Sequence, residues 1–148
     1  MKMTAALLFS FLLLNACRTS NDPLPITGTW QLLTGTLIEN GDTSITDYTK
    51  DKKFVKIIND SHFAFLNHDL NKGKDSLASF SAGGGSYTLS GNTYTEHLEF
   101  CSDRAWEQND FSFTVTIHND TLIQQGVEKV EGTSINRLNI EKYTRVTN

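Results

Sequence analysis

The sequence predicts an all-β domain, an up-and-down antiparallel barrel of about eight to nine strands. Three observations carry that prediction. Short β-branched and aromatic runs alternate with turn signals at regular intervals along the chain. No stretch between Gly28 and Val146 places its apolar residues at helical spacing. A parallel sheet is excluded on the same ground, since each crossover would need a helix or a long connection.

Taken in order, Gly28 to Leu33 opens the domain as a strand. Asn40-Gly41 then reads as a hairpin turn between Thr36-Leu37-Ile38 and Thr43-Ser44-Ile45, because both turn positions tolerate positive φ. Lys53 to Ile58 and His62 to Asn67 are strands separated at Asn59-Asp60. A polar loop over Asp69 to Lys74 follows. Leu77 to Leu89 and Asn92 to Cys101 pair across Ser90-Gly91-Asn92, and Asp103 to Asn109 is a polar connection that holds Trp106. Phe111 to His118, Thr121 to Val127 and Arg137 to Val146 complete the set, broken at Asn119-Asp120 and at Glu131-Gly132-Thr133.

The 148 residues do not all belong to this domain. Lys2, the apolar run Ala5 to Leu14, and Leu14-Asn15-Ala16-Cys17 are the parts of a secretory signal with a cysteine directly after the small residue. The run is too short to span a bilayer. It resembles a bacterial lipoprotein signal with its lipobox at Leu14 to Cys17. The resemblance implies a signal peptide over residues 1–16, lipidation at Cys17, and a chain anchored by its lipid to the cell envelope, with the outer membrane the expected site. Residues 17–25 contain both prolines and are otherwise mostly polar, so they read as a tether. The barrel domain is expected over residues 26–148, a size suited to one core.

Charge and cysteine content exclude several classes. Loss of Lys2 with the signal leaves twelve basic and seventeen acidic residues, a net charge of −5. The one basic run, Lys50-Asp51-Lys52-Lys53, carries its own acid, so neither nucleic acid nor a polybasic membrane contact is expected. With Cys17 lipidated, Cys101 alone cannot form an internal disulfide or a paired-cysteine metal site. It reads as a small half-buried hydrophobe. No cofactor is implied.

Alternation assigns the faces, since successive strand residues point to opposite sides. Phe111, Phe113, Val115 and Ile117 form an apolar row against Ser112, Thr114, Thr116 and His118. Tyr94, Glu96, Leu98 and Phe100 share the inward face of their strand, and Tyr87 with Leu89 and Phe63 with Phe65 supply further inward pairs.

Gly28-Thr29-Trp30 resembles the Gly-x-Trp signature of lipocalins. In that family the tryptophan plugs the closed end of an eight-stranded barrel, and an arginine from the last strand covers its ring. The resemblance implies those roles for Trp30 and Arg145. From about Ile26 to Val146 the chain is similar to small lipocalin-like lipoproteins of Gram-negative bacteria. The residues that carry this likeness are Gly28-Thr29-Trp30, Gly83 to Leu89, Asn92 to His97 and Arg145-Val146. It implies a fold and a compartment and brings no established activity.

Glu96 is the side chain of greatest interest, a carboxylate on an otherwise apolar inner row. A buried carboxylate must be paired, hydrogen-bonded or neutralised. It is therefore either a polar anchor for a ligand in an apolar cavity or half of an internal pair with an arginine, a histidine or a tyrosine hydroxyl. An eight-stranded barrel can be filled by its own side chains or hold one small ligand. His97 and Glu99 lie two apart on the outer face but lack a third metal ligand nearby. The triple glycine Gly83 to Gly85 leads into a strand, not a helix, so it marks a bulge or bend rather than a phosphate loop. No nucleophile elbow is present, and Glu96 and Glu99 face opposite sides, so an enzyme is not expected. The expected function is binding of a small hydrophobic ligand, with Glu96, Tyr94 and Tyr87 supplying polarity and Phe63, Phe65, Phe111 and Phe113 the wall. The alternative is a protein-interaction or inhibitor module with a solid barrel that acts through its loops, with Trp106 as its anchor or else as a lid over the barrel mouth.

Overall fold

In the computed structural model, residues 23–76 and 78–147 are described. The segment read as a signal peptide, the expected lipidation site Cys17 and most of the segment read as a tether lie outside them. Nine strands follow one another: β1 (Gly28–Glu39), β2 (Asp42–Asp47), β3 (Lys52–Ile58), β4 (His62–Asp69), β5 (Phe80–Ser90), β6 (Thr93–Cys101), β7 (Asn109–His118), β8 (Thr121–Lys129) and β9 (Asn136–Arg145). β1 pairs antiparallel with both β2 and β3, each strand from β3 to β8 pairs antiparallel with the next, and β9 returns to β1. β1 and β3 through β9 therefore form a closed eight-stranded barrel, as the turn spacing predicts. β2 is an extra strand. The near half of β1 pairs β3 through Gly28 to Gln31, and its far half pairs β2 through Thr34 to Glu39. Gly28–Leu33 and Thr36–Ile38, separate in the sequence reading, are thus one long strand bent by an irregularity at Leu33. A single extra residue there moves the inward phase from Trp30 and Leu32 to Gly35 and Leu37.

The two ends differ. Three short turns close one of them, at Asn59–Ser61, Gly91-Asn92 and Asn119-Asp120. Trp30 plugs that end, fully buried beneath the Arg145 guanidinium, which lies 4.1 Å from the ring centroid. The indole Nε1 donates to Ile26 O at 2.7 Å, and Arg145 donates to the carbonyls of Thr27 and Pro25. A guanidinium stacked in this way contributes roughly 0.5–2 kcal/mol. Ile26 is a core residue and Leu24 packs against the core, so order begins within the segment read as tether. At the opposite end the connections are longer, and a short 3-10 turn, Arg104–Trp106, sits among them.

The apolar row of β7 is inward as predicted, with Phe111, Phe113 and Val115 buried. On β6, Tyr94, Glu96 and Leu98 face in. Phe100, expected on the same face, is 67% exposed. The cause is a β-bulge. Gly84 pairs Phe100 while Gly85 pairs Leu98, so Glu99 is the extra residue and the inward phase passes to Cys101. Gly85 permits this approach, since a Cβ there would lie 1.9 Å from His97 O. The glycines are a device of strand geometry, in keeping with the sequence reading.

Candidate functional site

The barrel encloses a cavity of about 300 Å³ that opens at the end opposite Trp30. Its upper wall is aromatic. Phe54 and Phe65 stack with centroids 5.6 Å apart, Tyr48 meets Phe54 edge-on at 5.9 Å, and Phe111 and Phe113 line the facing side. Trp106 lies over the mouth, 5.6 Å from Phe111, with the Arg137 guanidinium 5.1 Å from its ring centroid. The surrounding connection is tied down. Asp103 caps the turn by accepting from Ala105 N, Glu107 accepts from Cys101 N, and the Asn109 amide donates to the carbonyls of Trp106 and Glu107. Trp106 is thus positioned as a lid.

The floor is polar and densely connected. Lys56, from β3, is 3% exposed. Its ammonium donates to Glu96 Oε1 at 2.7 Å and to Gln124 Oε1 at 3.2 Å, and lies 3.9 Å from Glu141 Oε2. The rings of Phe63 and Tyr143 flank it at 5.9 and 5.4 Å. Burial opposes the Lys56 charge, yet the carboxylates of Glu96 and Glu141 outweigh it and hold its pKa above the usual lysine value. Glu96 moves up as well, because burial outweighs the single ammonium beside it. Two carboxylates thus share one cation. Tyr143 donates its hydroxyl to Glu141 Oε2 at 2.7 Å. Burial, reinforced by the Glu141 charge, drives its pKa well up.

A second polar group lies nearer the mouth. Glu128 takes Arg137 Nε on Oε2 at 2.9 Å and Asn139 Nδ2 on Oε1 at 2.7 Å. Burial and then the Glu141 charge push its pKa up against the pull of Arg137.

Of the residues named from sequence, Phe65, Glu96, Phe111 and Phe113 line this cavity together. Tyr94, Tyr87 and Phe63 do not. They lie toward the plugged end, where the Tyr87 and Tyr94 rings meet at 5.2 Å and the Tyr87 hydroxyl donates to Asn59 O. Tyr94 is fully buried, its hydroxyl makes no hydrogen bond among the described residues, and burial followed by the Glu96 charge pushes its pKa far up. On the outer face, His97 pairs with Asp110 at 2.8 Å and Glu99 accepts from Ser86. The sequence reading missed Lys56, Gln124, Glu128, Arg137, Asn139 and Glu141. The partner of Glu96 is a lysine, not the arginine, histidine or tyrosine expected. The signal was available in strand phase. Lys56 alternates with Phe54 and Ile58, Gln124 with Leu122, and Glu141 with Tyr143, all of which face inward.

Chemically, the site is a shallow aromatic chamber above a charged, hydrogen-bonded base. No family model matches the chain and no curated protein does, so the reading of this site rests on its own geometry.

Proposed function

We propose that the protein is a lipid-anchored envelope barrel, akin to the lipocalin-like lipoproteins its motifs resemble, that binds one small, mostly apolar ligand. The observation that carries the proposal is the cavity, about 300 Å³, aromatic at its walls and open at one end. That volume is at the low end of the range for small-molecule sites, which are mostly apolar with a few fixed polar groups. The plug formed by Trp30 and Arg145 at the far end fits the same reading. A solid barrel, which the loop-acting alternative assumes, has no such space. Binding is the function we assign to this chamber.

Native mass spectrometry of the full chain, purified from its own envelope in mild detergent, tests this. A retained mass of a few hundred daltons that leaves on gentle activation is the expected result. A spectrum showing only the lipidated chain, with no binding of any apolar probe afterwards, would refute it.

A further inference from the structure

Resting on the reading of the cavity as a ligand site, we propose that its ligand is a small organic cation. An aromatic or aliphatic primary ammonium would place its charge on Glu141 and its apolar body against the aromatic wall. The charges on the wall are unbalanced. Lys56 and Arg137 face Glu96, Asp103, Glu128 and Glu141, so carboxylates outnumber cations two to one. Glu96 holds the Lys56 ammonium at 2.7 Å. Both Glu128 oxygens are taken, by Arg137 and by Asn139. Asp103 caps the turn at the rim. Glu141 is left with a tyrosine hydroxyl on Oε2 and a distant share of Lys56 at 3.9 Å. Its Oε1 accepts no hydrogen bond among the described residues, and the side chain keeps 14% of its surface exposed on the cavity side of the floor.

A second polar atom independently asks for a donor. Asn67 lines the cavity from β4, and its Oδ1 is buried with no partner among the described residues. A buried acceptor left in that state is unfavourable, and a donating guest that reached it would relieve it. The walls suit the same guest. Electron-rich ring faces attract an ammonium, and Phe54, Phe65 and Tyr48 form a cluster of such rings beside the surplus carboxylate. A carboxylic acid, by contrast, would set a second carboxylate against Glu141, whose one nearby cation among the described residues, Lys56, is already held by Glu96.

Three probes of nearly equal shape decide the matter by titration calorimetry of the full-length protein against a detergent blank: 2-phenylethylammonium, 2-phenylethanol and phenylacetate. The expected result is at least tenfold tighter binding of the ammonium than of the alcohol, with phenylacetate weaker than both. In Glu141→Gln, whose side chain can still accept from Tyr143, the ammonium should lose its advantage over the alcohol. Alcohol binding as tight as ammonium overturns the charge assignment and leaves the ligand cavity standing. A preference that survives Glu141→Gln overturns the role of that residue. No heat from any probe overturns both the inference and the cavity reading beneath it. The three-probe series on the wild-type chain decides the proposal even if Glu141→Gln fails to fold.

Discussion

Replacing Lys56 by methionine should cost much more than replacing Glu96 by glutamine. Lys56 is the sole cation within reach of Glu96 and Glu141 among the described residues, so its removal leaves two carboxylates facing each other in a site where Glu96 is only 7% exposed. Breaking a buried pair from one side typically costs about 3–5 kcal/mol. Because burial already pushes the Glu96 carboxyl upward, it can take a proton and soften the loss, which favours the lower end, about 3 kcal/mol. For a domain of this size that corresponds to a drop in Tm of roughly 10 °C. Glu96→Gln leaves Lys56 with Gln124 and Glu141 and keeps an acceptor in place, so only about 1 kcal/mol should be lost. The double variant Lys56→Met/Glu96→Gln removes both charges and should recover much of the loss, giving a coupling of about 2 kcal/mol. Thermal and urea unfolding of the four proteins at pH 7 would measure this directly. A Lys56→Met cost below that of Glu96→Gln, or strict additivity in the double variant, would show that the pair is not buried and coupled as described.

Further outcomes follow from other parts of the barrel. Leu98→Ala should cost about 2–5 kcal/mol in urea unfolding, whereas Phe100→Ala should stay within about 0.5 kcal/mol, and equal costs would mean the bulge at Glu99 is absent. Gly85→Ala forces a Cβ against His97 O and should destabilise by about 1–3 kcal/mol; a neutral result in the same assay would contradict the close approach. Stability should also fall as pH rises through the window that opens at the ordinary glutamate value of 4.5. Glu96 and Glu128 have folded pKa values above the ordinary 4.5, so the native state holds more protons in that window and loses them as pH climbs. The exposed acids with lowered pKa, Asp47, Asp69, Glu99 and Glu131, act below that window, and Lys56 acts above it. Melting curves across pH should therefore slope downward and flatten in Glu96→Gln/Glu128→Gln; a Tm that rises with pH in the wild type, or an unchanged slope in the variant, counts against the assignment.

The barrel was legible in the sequence because its signals are local. Asn40-Gly41 takes φ of 52° and 90° as a two-residue hairpin requires, and the alternation of β7 reads directly as in and out. What escaped were events of a single residue. The bulges at Leu33 and Glu99 shift phase by one, and although the β5 glycines signal a bend they do not say which residue of β6 is the extra one, so alternation alone puts Phe100 on the inner face. The site was half legible for another reason. A carboxylate among aromatics stands out on β6, but a lysine between Val55 and Ile57 reads as an ordinary surface charge until its strand is paired. Only the tertiary register brings β3, β6, β8 and β9 to one point, and that convergence is what makes Lys56, Gln124 and Glu141 partners of Glu96.

The division between the two ends has a consequence for how the molecule can be handled and attached. The described chain comes in at Pro23 and leaves after Arg145, and both points lie beside the Trp30 plug, where Pro25 O and Thr27 O accept from Arg145. The mouth under Trp106 is at the other pole. A surface, a resin or a fused reporter joined close to Pro25 or Arg145 would therefore sit behind the barrel and leave the chamber free to sample the solution.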